Sequence, residues 1–427
     1  MNKVSCLLGL MLIPLFTLQA QTTKQEVLSN IATAGGNYYS YPVPTKALTP
    51  APEGYAPFYI SHYGRHGSRY IIGEHDYTFS IAKLDSAEQL NELTSLGKDV
   101  LERLRRIYDN AKNRDGELTR AGALQHQGIA HRMYQNFPEL LSQPLQIDAR
   151  SSTSIRCILS MSNFCQELRS LNPKLQIAMD ASRHDMWYLV NDGNTKYPTN
   201  PAQEKMEKKM DTFTAKMFHT DRLMSTLFTN KDFMNNQKER QDLMDALYNI
   251  AEDMQCLPEL NISLMDLFTE DELFDIWQTY NADWCLWDGL MPSSSPTYMA
   301  HYALMKNILD TADSIIQTGG SGATLRFGHD AVVLPLSYIL KLNQSRNASD
   351  DLDNLYKQFS NFKVIPMAAN IQIIFYRKTG SDDILVKFLL NEVESDIPIQ
   401  TDCAPYYHWK DVETFYRNEL SKEIHYN

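Results

Sequence analysis

The residues of this chain best suited to chemistry lie in Arg65-His66-Gly67-Ser68-Arg69, where one imidazole stands between two guanidiniums. Arginine presents a planar fork that meets phosphate oxygens two at a time. An imidazole held among permanent cations is pushed toward its neutral, nucleophilic form, because like charge opposes protonation. Together they suggest a histidine that attacks phosphorus while the arginines hold the phosphoryl oxygens. Two further segments offer matching groups. Arg156 follows the capping cluster Ser151-Ser152-Thr153-Ser154, in the first turn of an expected helix, where backbone amides already favour an anion. His329-Asp330 stands just before another expected helix, where Asp330 could act as a cap or transfer a proton, and His329 could bond the phosphoryl group. The nearby Gly319-Gly320-Ser321-Gly322 turn lacks the Lys and Ser/Thr of a P-loop.

These groups need elements to carry them. The aromatic and β-branched run from Phe58 reads as a strand, broken at Gly64 and again at Gly67, which delivers its side chains to the carboxyl edge of a sheet. Strands are also expected over 145–150, 175–181 and 324–327, with helices after the first and third. Three strand-to-helix junctions bearing ionisable groups predict an α/β fold with its ligand at the strand ends. Further helices are expected over 87–113, from Thr119 to Phe137, over 298–317 and 331–342, and in the tail from 411 to 423. Strands are expected over 362–366, 371–378 and 384–392, with 379–382 as a hairpin connection. Between 183 and 298 the pattern turns helical. Met206, Met210, Phe213 and Met217 recur at helical spacing, and 232–251 continues the pattern. Trp284 and Trp287 are expected to be buried, and residues 21–56 read as a wrapped arm.

The chain has 427 residues and a net charge of −12. Residues 1–20, a basic start followed by an apolar run and a small residue, read as a signal peptide, so the expected location is periplasmic or secreted. Its removal takes Lys3 and no acid, leaving −13. So acidic a chain makes nucleic acid an unsuitable partner, and no later stretch is long and apolar enough to insert in a membrane. The expected partner is a small phosphomonoester. The expected organisation is a discontinuous α/β core, 21–182 and 299–427, with an inserted helical subdomain at 183–298. Five cysteines follow residue 20, and none of their spacings suggests a structural zinc site.

Arg65-His66-Gly67-Ser68-Arg69, then Arg156, then His329-Asp330, in that order and spacing, resemble the histidine acid phosphatases. Within them the chain looks closest to the multiple inositol polyphosphate phosphatase branch, through residues 63–70, Arg156-Cys157, Phe327-Gly328-His329 with Leu334-Pro335-Leu336, and Leu389-Leu390-Asn391-Glu392. One difference is that the branch typically carries His-Ala-Glu where this chain has His329-Asp330-Ala331. The resemblance implies a phosphoglycerate-mutase-like central sheet flanked by helices, and hydrolysis of phosphate esters such as phytate through a phosphohistidine. In it His66 is the nucleophile, Asp330 the proton donor, and Arg65, Arg69, Arg156 and His329 the phosphate ligands. No metal or other cofactor is expected, because these donors fill the place of a divalent ion. Hydrolysis is expected to be fastest at mildly acidic pH, since free Asp titrates near 3.9. Three alternatives remain open: a broad-specificity acid phosphatase, a mutase-like phosphotransferase, and a non-catalytic binder of phosphorylated ligands.

Overall fold

The computed structural model describes residues 22–421 apart from 192, 194 and 231, so the expected signal peptide lies outside the described residues. Helix α1 (Lys24–Ser29) and a 3-10 helix (Ile31–Tyr38) lead through an extended arm into β1 (Tyr55–Arg65). The single helix expected over 87–113 is two, α2 (His75–Gln89) and α3 (Ser95–Ala111), because Thr94 accepts from the Gly97 N–H at 3.0 Å and starts a new helix. Then come α4 (Arg120–Asn136), capped by Thr119, α5 (Pro138–Leu141), β2 (Gln146–Ser151), α6 (Ile155–Leu171) and β3 (Gln176–Asp180). The helical stretch holds α7 (Gln203–Met217), α8 (Thr220–Leu227), α9 (Gln237–Asp253) and α10 (Glu270–Trp287). Helix α9 begins later than its apolar pattern because the Asn236 side chain accepts from the Lys238 and Glu239 N–H groups.

Next are α11 (Tyr302–Gln317), β4 (Gly322–Gly328), α12 (Asp330–Ile339), α13 (Leu355–Gln358) and α14 (Asn361–Val364). Residues 362–366, expected as a strand, therefore start as a helical turn. Phe362 packs at 5.5 Å on Trp277, whose Nε1 donates to Asn361 Oδ1 at 3.0 Å, so this apolar run plugs a helical core instead of pairing. The chain ends in β5 (Asn370–Lys378), β6 (Ile384–Leu390), β7 (Val393–Ser395), β8 (Tyr407–His408) and α15 (Trp409–Ser421).

The strands form one sheet in the order β3-β2-β4-β1-β5-β6-β7, with β8 also on β6. β1, β2, β3 and β4 run parallel, and β5 joins β1 antiparallel. Side chains alternate between two cores, as the pleat requires. Tyr59, Tyr63, Ile371, Ile373 and Phe375 face a core shared with α11, α12 and α15, whereas Ile60, Ile147, Leu325, Phe327 and Ile374 face one shared with α4 and α6. A third apolar cluster joins α2 and α3 to α8, α9 and α10. The stretch 183–298 thus divides its side chains between two clusters, since Met206, Met210, Phe213 and Met217 lie in the core of α11 and α12. The mixed α/β fold with a helix-flanked central sheet is the expected one.

Candidate active site

Parallel strands end together, and here three of them end at one place. Arg65 at the end of β1 pairs with Gly328 at the end of β4, and Phe327 pairs with Ser151 at the end of β2. His66, Ser152 and His329 therefore leave the sheet side by side, at the carboxyl edge where open α/β sheets bind ligands. Backbone bonds tie the three together: His66 N–H donates to Gly328 O at 2.9 Å, Ser152 N–H to Phe327 O at 2.9 Å, and Ala368 N–H to His66 O at 3.0 Å.

The turn after β1 is set by close approach, not by a left-handed glycine. A Cβ on Gly67 would lie 2.4 Å from Gly122 O, and one on Gly122 2.2 Å from Ser68 O, so the turn rests on the first turn of α4. Gly67 N–H donates to Ser160 Oγ at 3.1 Å, and Thr119 Oγ1 donates to Ser68 O at 3.1 Å. Gly64, expected to break β1, lies inside it, opposite Phe327 and Asn370. Its missing Cβ leaves room for the His62 ring, which would otherwise be 2.7 Å away.

His66 is buried, and its Nδ1 lies 2.9 Å from Gly67 O. A carbonyl only accepts, so Nδ1 carries the proton and Nε2 keeps its lone pair. Burial, then the charges of Arg65 and Arg69, hold the imidazole unprotonated well below its ordinary range. Its ring stands 5.8 Å from that of His329, edge to face. His329 Nε2 lies 3.1 Å from Ser152 Oγ, and burial pulls this histidine down to about 4, so it acts as a neutral hydrogen-bonding group.

Arg65 is fully buried. Its Nη1 donates to the carbonyls of Ile365, at 2.8 Å, and Asn37, while Nη2 meets Asp330 Oδ2 at 2.7 Å. Asp330 receives two more donors, Asn37 Nδ2 on Oδ2 at 3.2 Å and its neighbour's Ala331 N–H on Oδ1 at 3.0 Å. Burial alone would raise this carboxyl, but Arg65, the His66 ring and Arg69 outweigh it and hold Asp330 well below the usual carboxylate range. Arg69 donates from Nη1 to Tyr70 O at 2.9 Å and lies 4.9 Å over the Tyr38 ring. Arg156 is half-buried in the first turn of α6, and its charge bears on both His66 and His329. All six candidates, His66, Asp330, Arg65, Arg69, Arg156 and His329, thus face one another or share their electrostatics.

Several contributors escaped sequence reasoning. Asn37 and Tyr38 come from the N-terminal arm, read only as a wrapping segment. The one local signal is Gly35-Gly36, since Gly36 takes φ +56° just before them. Ser152 was legible as part of a capping cluster but not as the partner of His329. Asp253 is buried beneath Arg69, and burial lifts it to about 7 while Arg69 pulls it down. Asp288 is raised well above its ordinary value, by burial and then by Asp330. It lines, with Glu204, Glu207, Asp211, Asp283 and Ala331, a cavity of about 1160 Å³. Trp287 also lines that cavity and is 75% exposed, where burial was expected.

The family model described as histidine phosphatase superfamily (branch 2) matches residues 64–391. No curated protein sequence matches the chain. Among solved structures it is similar to the multiple inositol polyphosphate phosphatase of Bifidobacterium longum in complex with inositol hexasulfate, with a TM-score of 0.73 at 19% identity, covering 91% of this chain and 98% of that one. The phytase from D. castellii gives 0.70 at 14% identity, covering 95% and 88%. The Hafnia alvei phytase in complex with myo-inositol hexakis sulphate gives 0.51 at 13%, covering 86% and 98%. At these identities the likeness is one of fold.

Proposed function

This chain is a phosphatase that belongs to the histidine phosphatase superfamily (branch 2), and on that premise we propose that it is an exported phosphomonoesterase acting on inositol polyphosphates such as phytate. The observation that carries the chemistry is His66, with Nδ1 bonded to a carbonyl, Nε2 bare, and fixed cations on its flanks. His66 Nε2 attacks phosphorus in line. The N–P bond forms as the ester P–O bond breaks, and the departing alkoxide takes a proton from Asp330. Water then attacks the phosphohistidine, gives a proton to the Asp330 carboxylate, and releases phosphate and free His66. Arg65, Arg69, Arg156 and His329 hold the equatorial oxygens, where charge is spread in the transition state. Export rests on residues 1–20 and is a reading of sequence.

The geometry adds a condition. Asp330 is ionised while Arg65 holds it, so a bound phosphoryl group must compete for Arg65 Nη2 and thereby release the carboxyl to accept a proton. An ionised Asp330 with a monoanionic ester holds the same proton count as a protonated Asp330 with the dianion. The proton can therefore arrive with the substrate.

A second reading, a broad-specificity acid phosphatase on sugar or other small esters, is favoured by the acidic cavity beside Ala331. The carboxyl side chains of Glu204, Glu207, Asp211 and Asp283 line it and disfavour additional phosphates, whereas burial holds Asp288 toward its neutral form. Phosphate release by the purified protein from phytate, sugar phosphates, nucleotides and an aryl phosphate separates the two. Preferential release from phytate supports the inositol reading, and a strong preference for the other esters overturns it in favour of the second.

A further inference from the structure

At the opposite end of the sheet from His66, three side chains of different chemistry converge. His408 on β8 pairs with Leu385, which pairs with Tyr376, which pairs with Pro57 near the start of β1. Eight residues of extended chain, about 26 Å, separate Pro57 from Arg65. A carboxylate oxygen of Asp402, the thiol of Cys403 and an imidazole nitrogen of His408 lie within 4.8 Å of one another. His408 Nε2 is 3.0 Å from Asp402 Oδ1 and 4.0 Å from Cys403 Sγ. Behind the ring, His408 Nδ1 is 2.9 Å from Asp383 Oδ1, and Tyr55 donates to Asp383 Oδ2 at 2.7 Å.

We propose that Asp402, Cys403 and His408 bind a zinc ion, with Asp383 as the outer carboxylate that orients the His408 ring. Three features support this. With Nδ1–H given to Asp383, Nε2 faces Asp402 Oδ1 at 3.0 Å; a ring proton bridges them in the metal-free chain, and a metal ion bound to both can take that proton's place. A carboxylate behind a ligating histidine, itself fixed by a further donor, is the usual outer shell of a zinc site, and here it is already built. The N, S and O donors suit zinc, whose bonds of about 2.0–2.3 Å place tetrahedral ligands roughly 3.3–3.8 Å apart. Asp402 is exposed on a loop and Cys403 half-exposed, so both can close that distance. Among the described residues Cys403 is the one thiol not fully buried. Binding replaces the Cys403 S–H bond with a metal–sulfur bond, releases the proton to solvent, and leaves a fourth position for water. The ion would clasp the loop before β8, and with it α15, to the β5–β6 connection.

The test uses the chelator-treated full chain titrated with Cd²⁺, read by the ultraviolet thiolate-to-metal charge-transfer band and by competition with Zn²⁺. The site predicts one equivalent bound, displacement by Zn²⁺, a Zn²⁺-dependent rise in Tm, and loss of both band and rise in Cys403→Ser. It predicts at least tenfold weaker binding in His408→Gln. Phosphate release by Cys403→Ser without metal equals that of wild type, so failure here is distinct from failure of the phosphatase reading. Absence of a band at millimolar Cd²⁺, or a band that survives Cys403→Ser, overturns the proposal.

Discussion

At the scale of single residues the central pair is Arg65 and Asp330, joined at 2.7 Å with both at the floor of the site. Sequence spacing identified both side chains but not their union, because nothing local relates residue 65 to residue 330. That union changes the expected pH behaviour. The free enzyme holds Asp330 ionised below the usual carboxylate range, so acidity below about 4 is not what loads the donor. The proton arrives with the ester, whose second ionisation lies near 6. We predict that kcat/KM falls about tenfold per pH unit above roughly pH 6, and a plateau extending past pH 8 contradicts this. Asp330→Asn should lower kcat/KM, which reports phosphoryl transfer to His66, by about 10²–10⁴-fold for alkyl phosphates, while kcat/KM for an aryl phosphate with an acidic phenol, which leaves without a proton, should fall far less. Equal losses on both esters would remove Asp330 from the donor role.

At the scale of elements, the junctions β1 to the Arg65–Arg69 turn, β2 to α6 and β4 to α12 were legible, because alternation followed by capping residues is a local pattern. Two things were not. The N-terminal arm contributes Asn37 and Tyr38 by folding across the site, and arm residues carry no periodicity to read. The seating of the turn on α4 depends on two glycines far apart in sequence, Gly67 and Gly122, whose backbones touch. Gly122→Ala forces backbone against backbone and shifts the turn that carries His66. It should cost about 1–3 kcal/mol of stability and cut kcat at least about tenfold. Gly128→Ala, on the same helix, meets only the flexible end of Arg132 at 3.1 Å and should be neutral or slightly stabilising. Thermal unfolding and initial rates on the pair decide it: similar effects at both positions would show that α4 does not position the turn.

At the scale of the whole molecule, a chain of net charge −12 sets three of its arginines, Arg65, Arg69 and Arg156, around His66, and it supports that cup with histidines kept neutral. His62 and His126 are buried against Phe164 and Phe327, and burial lowers each to about 3. Their folded values lie below the unfolded 6.5, so below that pH the unfolded chain binds protons that the folded one refuses. Their contribution is complete above about 6.5 and is lost as pH falls toward 3, at up to about 1.4 kcal/mol per pH unit each. Buried carboxyls with raised values, Asp245 at about 6 and Asp253 at about 7, act in the opposite sense. The histidine share therefore shows as a difference: between pH 6 and 4, Tm should fall less steeply in His126→Leu than in wild type, and equal slopes would contradict it.

The cup itself depends on three distant pieces of chain, 65–69, 152–156 and 329–330, meeting at one sheet edge around a nucleophilic imidazole. The most direct test is trapping of a phosphoenzyme from a ³²P-labelled substrate by a rapid quench into alkaline denaturant. Wild type should yield an acid-labile, base-stable label on His66, and Asp330→Asn should accumulate it from an aryl phosphate as its hydrolysis slows. No label should form in His66→Ala. A label of equal yield in His66→Ala, or turnover by wild type with no trappable phosphohistidine, would contradict the account.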